Sequence, residues 1–209
     1  MPDIKPQLPA TAESHVPLYQ APHLIATYSH LKDRSIANND ASMSYYRGAS
    51  VGDDLKIGYE NMIERDPLLE EHLDGVCQAL LKFRREGGTL KDRALVTWRG
   101  MLTRLEDEQS YKLQSYFGYS YEAYATAGDK AAPVEKSKKK REANIAVNTN
   151  VQWCCVVKSK IGNVRLYMGG EVDCVEGEWK KDMRQCVELK TNMALSSMRQ
   201  RINFEKCVQ

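Results

Sequence analysis

Long apolar runs are missing from this 209-residue chain, and its N-terminus carries no basic-then-apolar segment. Without about 20 consecutive apolar residues a helix does not cross a bilayer, so no membrane partner is expected, and no secretory signal is expected either. Phosphate loops, dinucleotide fingerprints and nucleophile elbows are also absent, which removes the nucleotide-hydrolase, Rossmann and serine-esterase readings. The six cysteines (77, 154, 155, 174, 186 and 207) form no C-x-x-C pair. Reduced thiols of an intracellular protein are expected rather than disulfides or a zinc site. All four histidines fall at or before position 72, far from the acidic motifs described below, so a histidine-based mechanism has no obvious place. No charge of one sign dominates either. Thirty basic and 28 acidic residues give a net charge of +2, so any affinity for phosphate must be local.

What is present is concentrated near the C-terminus. Glu171-Val172-Asp173 and Glu188-Leu189-Lys190 each sit in a stretch that reads as β-strand. Side chains two apart on a strand share a face, so Glu171 projects with Asp173 and Glu188 with Lys190. An isolated E-x-D or E-x-K is usually the solvent face of an amphipathic strand. Here the acids are flanked by Val172, Cys174, Val187 and Leu189, and Gly169-Gly170 precedes the first motif, where backbone or substrate can approach closely. If the two strands are neighbours, three carboxylates and one ammonium meet. Such oxygen ligands suit Mg²⁺ or Mn²⁺, which in phosphoryl chemistry activate water and stabilise the leaving oxygen.

The rest of the chain reads as α+β, with more sheet than helix after residue 90. Residues 1–22 hold five of the seven prolines and are expected to form a disordered tail, leaving one domain over 23–209. A helix is expected from Asp66 as N-cap, with Pro67 in its first turn, an apolar stripe of Leu69, Leu73, Val76 and Leu80, and an end at Gly87-Gly88. Strands are expected at Ala94–Trp98, at Met101–Thr103 after an interruption at Arg99-Gly100, at Tyr116–Tyr124, over Val151–Ser159 turning into Val164–Met168, and at Cys186–Thr191. Residues 125–145, with Lys136, Lys138, Lys139, Lys140 and Arg141, read as a mobile loop, and Ser196–Phe204 as a short basic helix. Asn148-Thr149-Asn150 is turn chemistry or a set of polar contacts, left open between the two.

Trp98-Arg99-Gly100-Met101-Leu102-Thr103, Gly118-Tyr119-Ser120-Tyr121-Glu122, Asn148-Thr149-Asn150, Gly170-Glu171-Val172-Asp173-Cys174 and Val187-Glu188-Leu189-Lys190-Thr191 together resemble, in order, the motifs of the DXO/RAI family of RNA decapping exoribonucleases. The resemblance implies two packed mixed β-sheets with flanking helices around a PD-(D/E)xK nuclease-like core. It implies removal of defective or non-standard RNA 5′ ends (triphosphate, unmethylated cap or NAD cap), with 5′→3′ degradation in some members. Carried over, Glu122, Glu171, Asp173, Glu188 and the Leu189 carbonyl would hold Mg²⁺ or Mn²⁺. Lys190 would assist at the scissile phosphate, and Arg99 would hold RNA phosphate. A nuclear or nucleocytoplasmic location and a 5′→3′ exoribonuclease partner also follow from it. The chain departs from the family at Arg104–Ser115, where members carry a longer segment. It departs again at Gln209, shortly after Asn203-Phe204-Glu205-Lys206, where members continue with a glutamine-bearing helix and more strands. An incomplete copy with exposed sheet edges is the expectation. An RNA-end-binding protein without turnover and a PD-(D/E)xK-type DNA nuclease are the alternatives.

Overall fold

In the computed structural model, residues 18–48, 54–103, 112–128, 146–191 and 197–198 are described. They form β1 (Tyr19–His30), β2 (Ile36–Ala37), β3 (Tyr45–Tyr46), α1 (Asp74–Arg85), β4 (Ala94–Trp98), α2 (Arg99–Thr103), α3 (Lys112–Ala125), β5 (Thr126–Ala127), β6 (Gln152–Ile161), β7 (Val164–Glu171), β8 (Cys174–Val175) and β9 (Cys186–Val187), with 3₁₀ turns at Tyr59–Asn61 and Met183–Gln185. A five-stranded sheet has the order β2-β1-β6-β7-β4, and a four-stranded one the order β5-β3-β8-β9. Both are mixed. In the first, β4 runs parallel to β7 while the other pairs are antiparallel; in the second, β3 runs parallel to β8.

The hairpin of β6 and β7 is the spine, with Ile161 facing Val164 at the turn and Cys154 facing Glu171 at the open end. Residues 153 to 157 of β6 are all buried, so this strand is covered on both faces and its apolar run is continuous rather than alternating. On one face Cys154 and Val156 pack with Tyr28, Tyr167 and the Val76, Ala79 and Leu80 side of α1. On the other, Trp153 and Cys155 meet Val175, Tyr45 and Trp179, which joins the two sheets. A third cluster packs the end of α3 (Ala125) against Cys174 and Leu189. Glycine is required at one point of this packing. A Cβ on Gly169 would stand 2.4 Å from Val76 Cγ2 and 2.9 Å from Trp98, so α1 and β4 close over β7 only if that residue has no side chain.

Several expected elements change. The helix begins at Asp74, not at Asp66. Asp66 instead accepts the Leu68 amide on Oδ1 (2.9 Å) and the Leu69 amide on its carbonyl (3.2 Å), a local turn that imitates a helix start. His72 then takes a left-handed φ of 43°, which no helix continues through. Arg99–Thr103 is a short helix rather than an interrupted strand. Tyr116–Tyr124 is helical too: Tyr116 and Ser120, four apart, are both fully buried and donate hydroxyl hydrogen bonds to the carbonyls of Ile57 (2.7 Å) and Leu55 (2.8 Å). The last strand ends at Val187, because the Leu189 amide goes to a side chain instead of a ladder. At the other end β1 begins at Tyr19, inside the segment read as tail. The lysine-rich stretch 136–141 and most of 196–204 lie outside the described residues.

Candidate active site

Glu171 is the last residue of β7, and the chain leaves the first sheet there to enter the second at Cys174. Asp173 lies in that two-residue crossing, and its Oδ2 accepts the backbone N–H of Leu189 at 2.5 Å. This bond ties the E-x-D and E-x-K tripeptides together, as β8 and β9 pair antiparallel through Cys174 and Val187. Glu122 arrives from α3, not from a strand. Tyr119 and Glu122, three apart, share one helix face and line a cleft of about 510 Å³ with Glu171 and Asp173. Gln152, which no sequence motif marks, donates its amide to Glu171 Oε2 at 2.8 Å.

The acids are strained electrostatically. Burial, then the nearby Asp173 and Glu171 charges, push Glu122 up to about 8. Burial, then Asp173, push Glu171 up to about 7. Asp173 is raised by burial, although the Leu189 amide opposes the shift. Burial and the charges of Glu171 and Glu122 also raise the Tyr119 hydroxyl. Glu188 differs: burial pulls it upward, but the Lys190 hydrogen bond and the Arg99 and Lys190 charges outweigh this and hold it below the usual carboxylate range. Lys190 is raised in turn by its hydrogen bond to Glu188. Arg99 Nη1 stands 3.4 Å from Glu188 Oε2, and the Arg99 side chain runs beside Gly170. Arg99 and Lys190 remain 54% and 77% exposed, so both cations stand with the partly exposed Glu188 outside the lining of that cleft, which Glu122, Glu171 and Asp173 share.

Among the described residues, no three His, Cys, Asp or Glu side chains are arranged to hold a metal ion outright. The donor set nonetheless fits a hard dication. Its members are carboxylates, and those in the cleft are raised by burial and by one another's charge, a penalty that a bound cation relieves. The Asn148 group shows both expected uses: Asn148 Oδ1 accepts the Asn150 amide (3.0 Å) in a local turn, and Thr149 Oγ1 accepts the distant Arg65 amide (2.8 Å) while Asn148 and Thr149 line the cleft.

A family model described as RAI1 like PD-(D/E)XK nuclease matches residues 20–107 and 104–209. The chain belongs to that family. The two matched segments overlap at 104–107. The decapping nuclease RAI1 of Cryptococcus neoformans is 35% identical over 99% of this chain and 63% of its own length. A crystal structure of Candida albicans Rai1 in complex with pU5 and Mn²⁺ superposes with a TM-score of 0.74 at 22% identity, over 96% of this chain and 66% of that one. Scheffersomyces stipitis Rai1 in complex with 3′-NADP⁺ and calcium gives 0.73 at 22% identity, over 93% and 66%. These structures establish the shared fold of the family, two mixed sheets with few helices. The chain spans between half and just under two thirds of the curated relatives it matches, 63% in Cryptococcus neoformans and 51% in Mycosarcoma maydis.

Proposed function

We propose that this chain is a divalent-cation-dependent hydrolase that removes defective or non-standard 5′ ends from RNA, namely a triphosphate, an unmethylated cap or an NAD cap, with 5′→3′ exoribonuclease action as a further capacity. The observation that carries this reading is the Leu189 amide on Asp173, which ties Glu188-Leu189-Lys190 to the Glu171-Val172-Asp173 tripeptide that lines one cleft with Glu122. Relatives named decapping nucleases, and Rai1 structures holding pU5 with Mn²⁺ or 3′-NADP⁺ with calcium, support the RNA 5′ end as substrate and Mg²⁺ or Mn²⁺ as cofactor.

Glu122, Glu171, Asp173 and Glu188, with the Leu189 carbonyl, would hold the ion. When bound, it supplies Lewis acidity at phosphorus and lowers the pKa of water. The chain supplies the rest. Gln152 fixes the Glu171 carboxylate through its amide, so the acid keeps one orientation. Leu189 does the same for Asp173. Arg99 presents a planar fork beside Glu188 and Gly170, suited to non-bridging phosphate oxygens, and Lys190 offers an exposed ammonium to charge that develops there. Both cations are paired with Glu188, so a phosphate approaching them competes with a carboxylate.

The test uses RNA carrying a 5′-triphosphate, an unmethylated cap or an NAD cap, alongside matched single-stranded DNA, with Mn²⁺. Glu171→Ala and Asp173→Ala are expected to abolish release from the RNA substrates, and full activity in both variants would overturn the reading. Cleavage of DNA in preference to RNA selects a DNA nuclease. A second reading, a module that holds RNA ends without turnover, draws on the absence of an assembled cage among the described acids. RNA binding with no Mn²⁺-stimulated product selects it. A nuclear or nucleocytoplasmic location and a 5′→3′ exoribonuclease partner belong to the same proposal.

A further inference from the structure

Two cysteines meet across the layer between the sheets. Cys155 belongs to β6 and Cys186 to β9, and both pack in the cluster that Trp153 and Val175 share with Tyr45, Trp179 and Met183. There the two thiols are hydrogen-bonded to each other. We propose that Cys155 and Cys186 are a redox pair, which a peroxide closes into a reversible disulfide between the two sheets, and that closure loosens the acid site. The bond itself is independent of the 5′-end reading; its effect on the bound cation rests on that reading.

The neighbouring cysteines are placed away from this pair. All five among the described residues are free thiols. Successive side chains of a strand point to opposite faces, so Cys154 turns away from Cys155 and packs with Tyr28 and α1. Cys174 alternates with Val175 in the same way and packs with Ala125 and Leu189. Cys77 is exposed on α1. A cysteine buried alone behaves as a small apolar residue, whereas two thiols in contact need only lose two electrons and two protons to be joined.

A small oxidant can reach both sulfurs. Cys186 is partly exposed, and Cys155 lines a cleft of about 160 Å³ with Arg99, Gly170, Glu171 and Met183. One water occupies about 30 Å³, so this cleft admits a peroxide. The Cys186 sulfur attacks one peroxide oxygen; the S–O bond forms, the O–O bond breaks, and the departing hydroxide takes the thiol proton as water. The Cys155 sulfur then attacks the Cys186 sulfur; the S–S bond forms, the S–O bond breaks, and a second water leaves with the Cys155 proton. The sulfurs are oxidised and the peroxide reduced, giving one disulfide and two waters.

The position of the pair gives the bond its effect. Cys155 stands opposite Gly170 in the β6–β7 ladder, next to Glu171. Cys186 precedes Glu188 and Leu189 by a few residues, and the Leu189 amide holds Asp173. A disulfide brings its sulfurs to about 2.05 Å, closer than two hydrogen-bonded thiols, so closure draws β9 toward β6. The displacement passes along β9 to Leu189 and disturbs its bond to Asp173.

The test treats the full chain in EDTA with a small molar excess of hydrogen peroxide, alkylates the remaining thiols, and maps the unreduced peptides by mass spectrometry. A Cys155–Cys186 link that dithiothreitol removes is expected; Cys77→Ala should keep it and Cys186→Ala should lose it. After removal of peroxide and EDTA, the linked protein is expected to bind Mn²⁺ at least about tenfold more weakly than the reduced one, the usual cost of disturbing groups that orient metal ligands. Dithiothreitol should restore the affinity, and Cys186→Ala, treated alike, should keep its own. Because that variant shares every methionine with the wild type, a loss of affinity in both would assign the effect to methionine oxidation and overturn the pair. No link, a link from Cys186 to another cysteine, or unchanged Mn²⁺ affinity in the linked protein also overturns it. The two proposals fail separately: a reduced protein that binds no Mn²⁺ removes the hydrolase reading, while the peptide map judges the bond without metal or turnover.

Discussion

Replacing Glu122 by glutamine should make the metal-free protein more stable, although it removes a residue assigned to the reaction. In the unfolded chain this carboxyl ionises near its ordinary value of 4.5, whereas burial and the charges of Asp173 and Glu171 push it up to about 8 in the fold. A raised carboxyl favours the folded state when protonated, so its stabilising share is complete at low pH and is lost as pH rises from about 4.5 to about 8. At pH 7 the difference amounts to about 3 kcal/mol. A glutamine amide keeps part of the burial penalty but none of the repulsion. Glu122→Gln should therefore return about 1–2 kcal/mol at pH 7, roughly 2–8 °C in melting temperature for a chain of this size. At pH 4 it should return almost nothing. Thermal melts of both proteins in EDTA across pH 4–8 provide the assay. Saturating Mn²⁺ should reverse the ranking, since only the wild type keeps the full donor set. A destabilised variant, or a gain independent of pH, would refute the repulsion argument.

Three further outcomes concern the packing and the Arg99 side chain beside Glu188. Glu71→Gln leaves the buried Arg34 without its carboxylate and should cost about 3 kcal/mol in urea denaturation. The Arg34 hydrogen bond holds Glu71 below its ordinary value, so in the wild type this contribution is present above about pH 4.5 and fades as pH falls through the lowered value. Gly169→Ala drives a methyl into Val76 and Trp98 and should cost about 1–3 kcal/mol, whereas Gly170→Ala, whose nearest neighbour stands at 3.5 Å, should cost far less; chemical melts of the pair check the contrast. Arg99→Lys keeps the charge but loses the planar fork, and should lower kcat/KM on capped RNA by about tenfold.

The sheet-rich half of the chain was legible because its signals are local. Trp153 to Val157 is buried on both faces and reads as an unbroken apolar run, and Gly162-Asn163 marks the turn into β7. The approach of the two tripeptides was legible only in part: the strands beside them pair as β8 and β9, but Val172-Asp173 and Glu188-Leu189-Lys190 lie outside strands and are joined by the Leu189 amide on Asp173. Helix α3 was not. Its tyrosines carry strand propensity, and the signal that corrects them is the four-residue spacing of Tyr116 and Ser120, whose partners Ile57 and Leu55 are remote in sequence. Asp66-Pro67 misled for the opposite reason: a good cap in sequence was used for a turn that His72 then closes. Gln152, the support of Glu171, leaves no motif, because its contact depends on strands that meet only in the fold.

Titration of Mn²⁺ into the wild type and into Asp173→Asn most directly tests whether these acids form one cation site. The account predicts saturable binding to the wild type at pH 8, weaker binding at pH 6 as Glu122 and Glu171 take up protons, and at least about a tenfold loss in Asp173→Asn. Equal Mn²⁺ affinity in the two proteins, or none in the wild type, would contradict it.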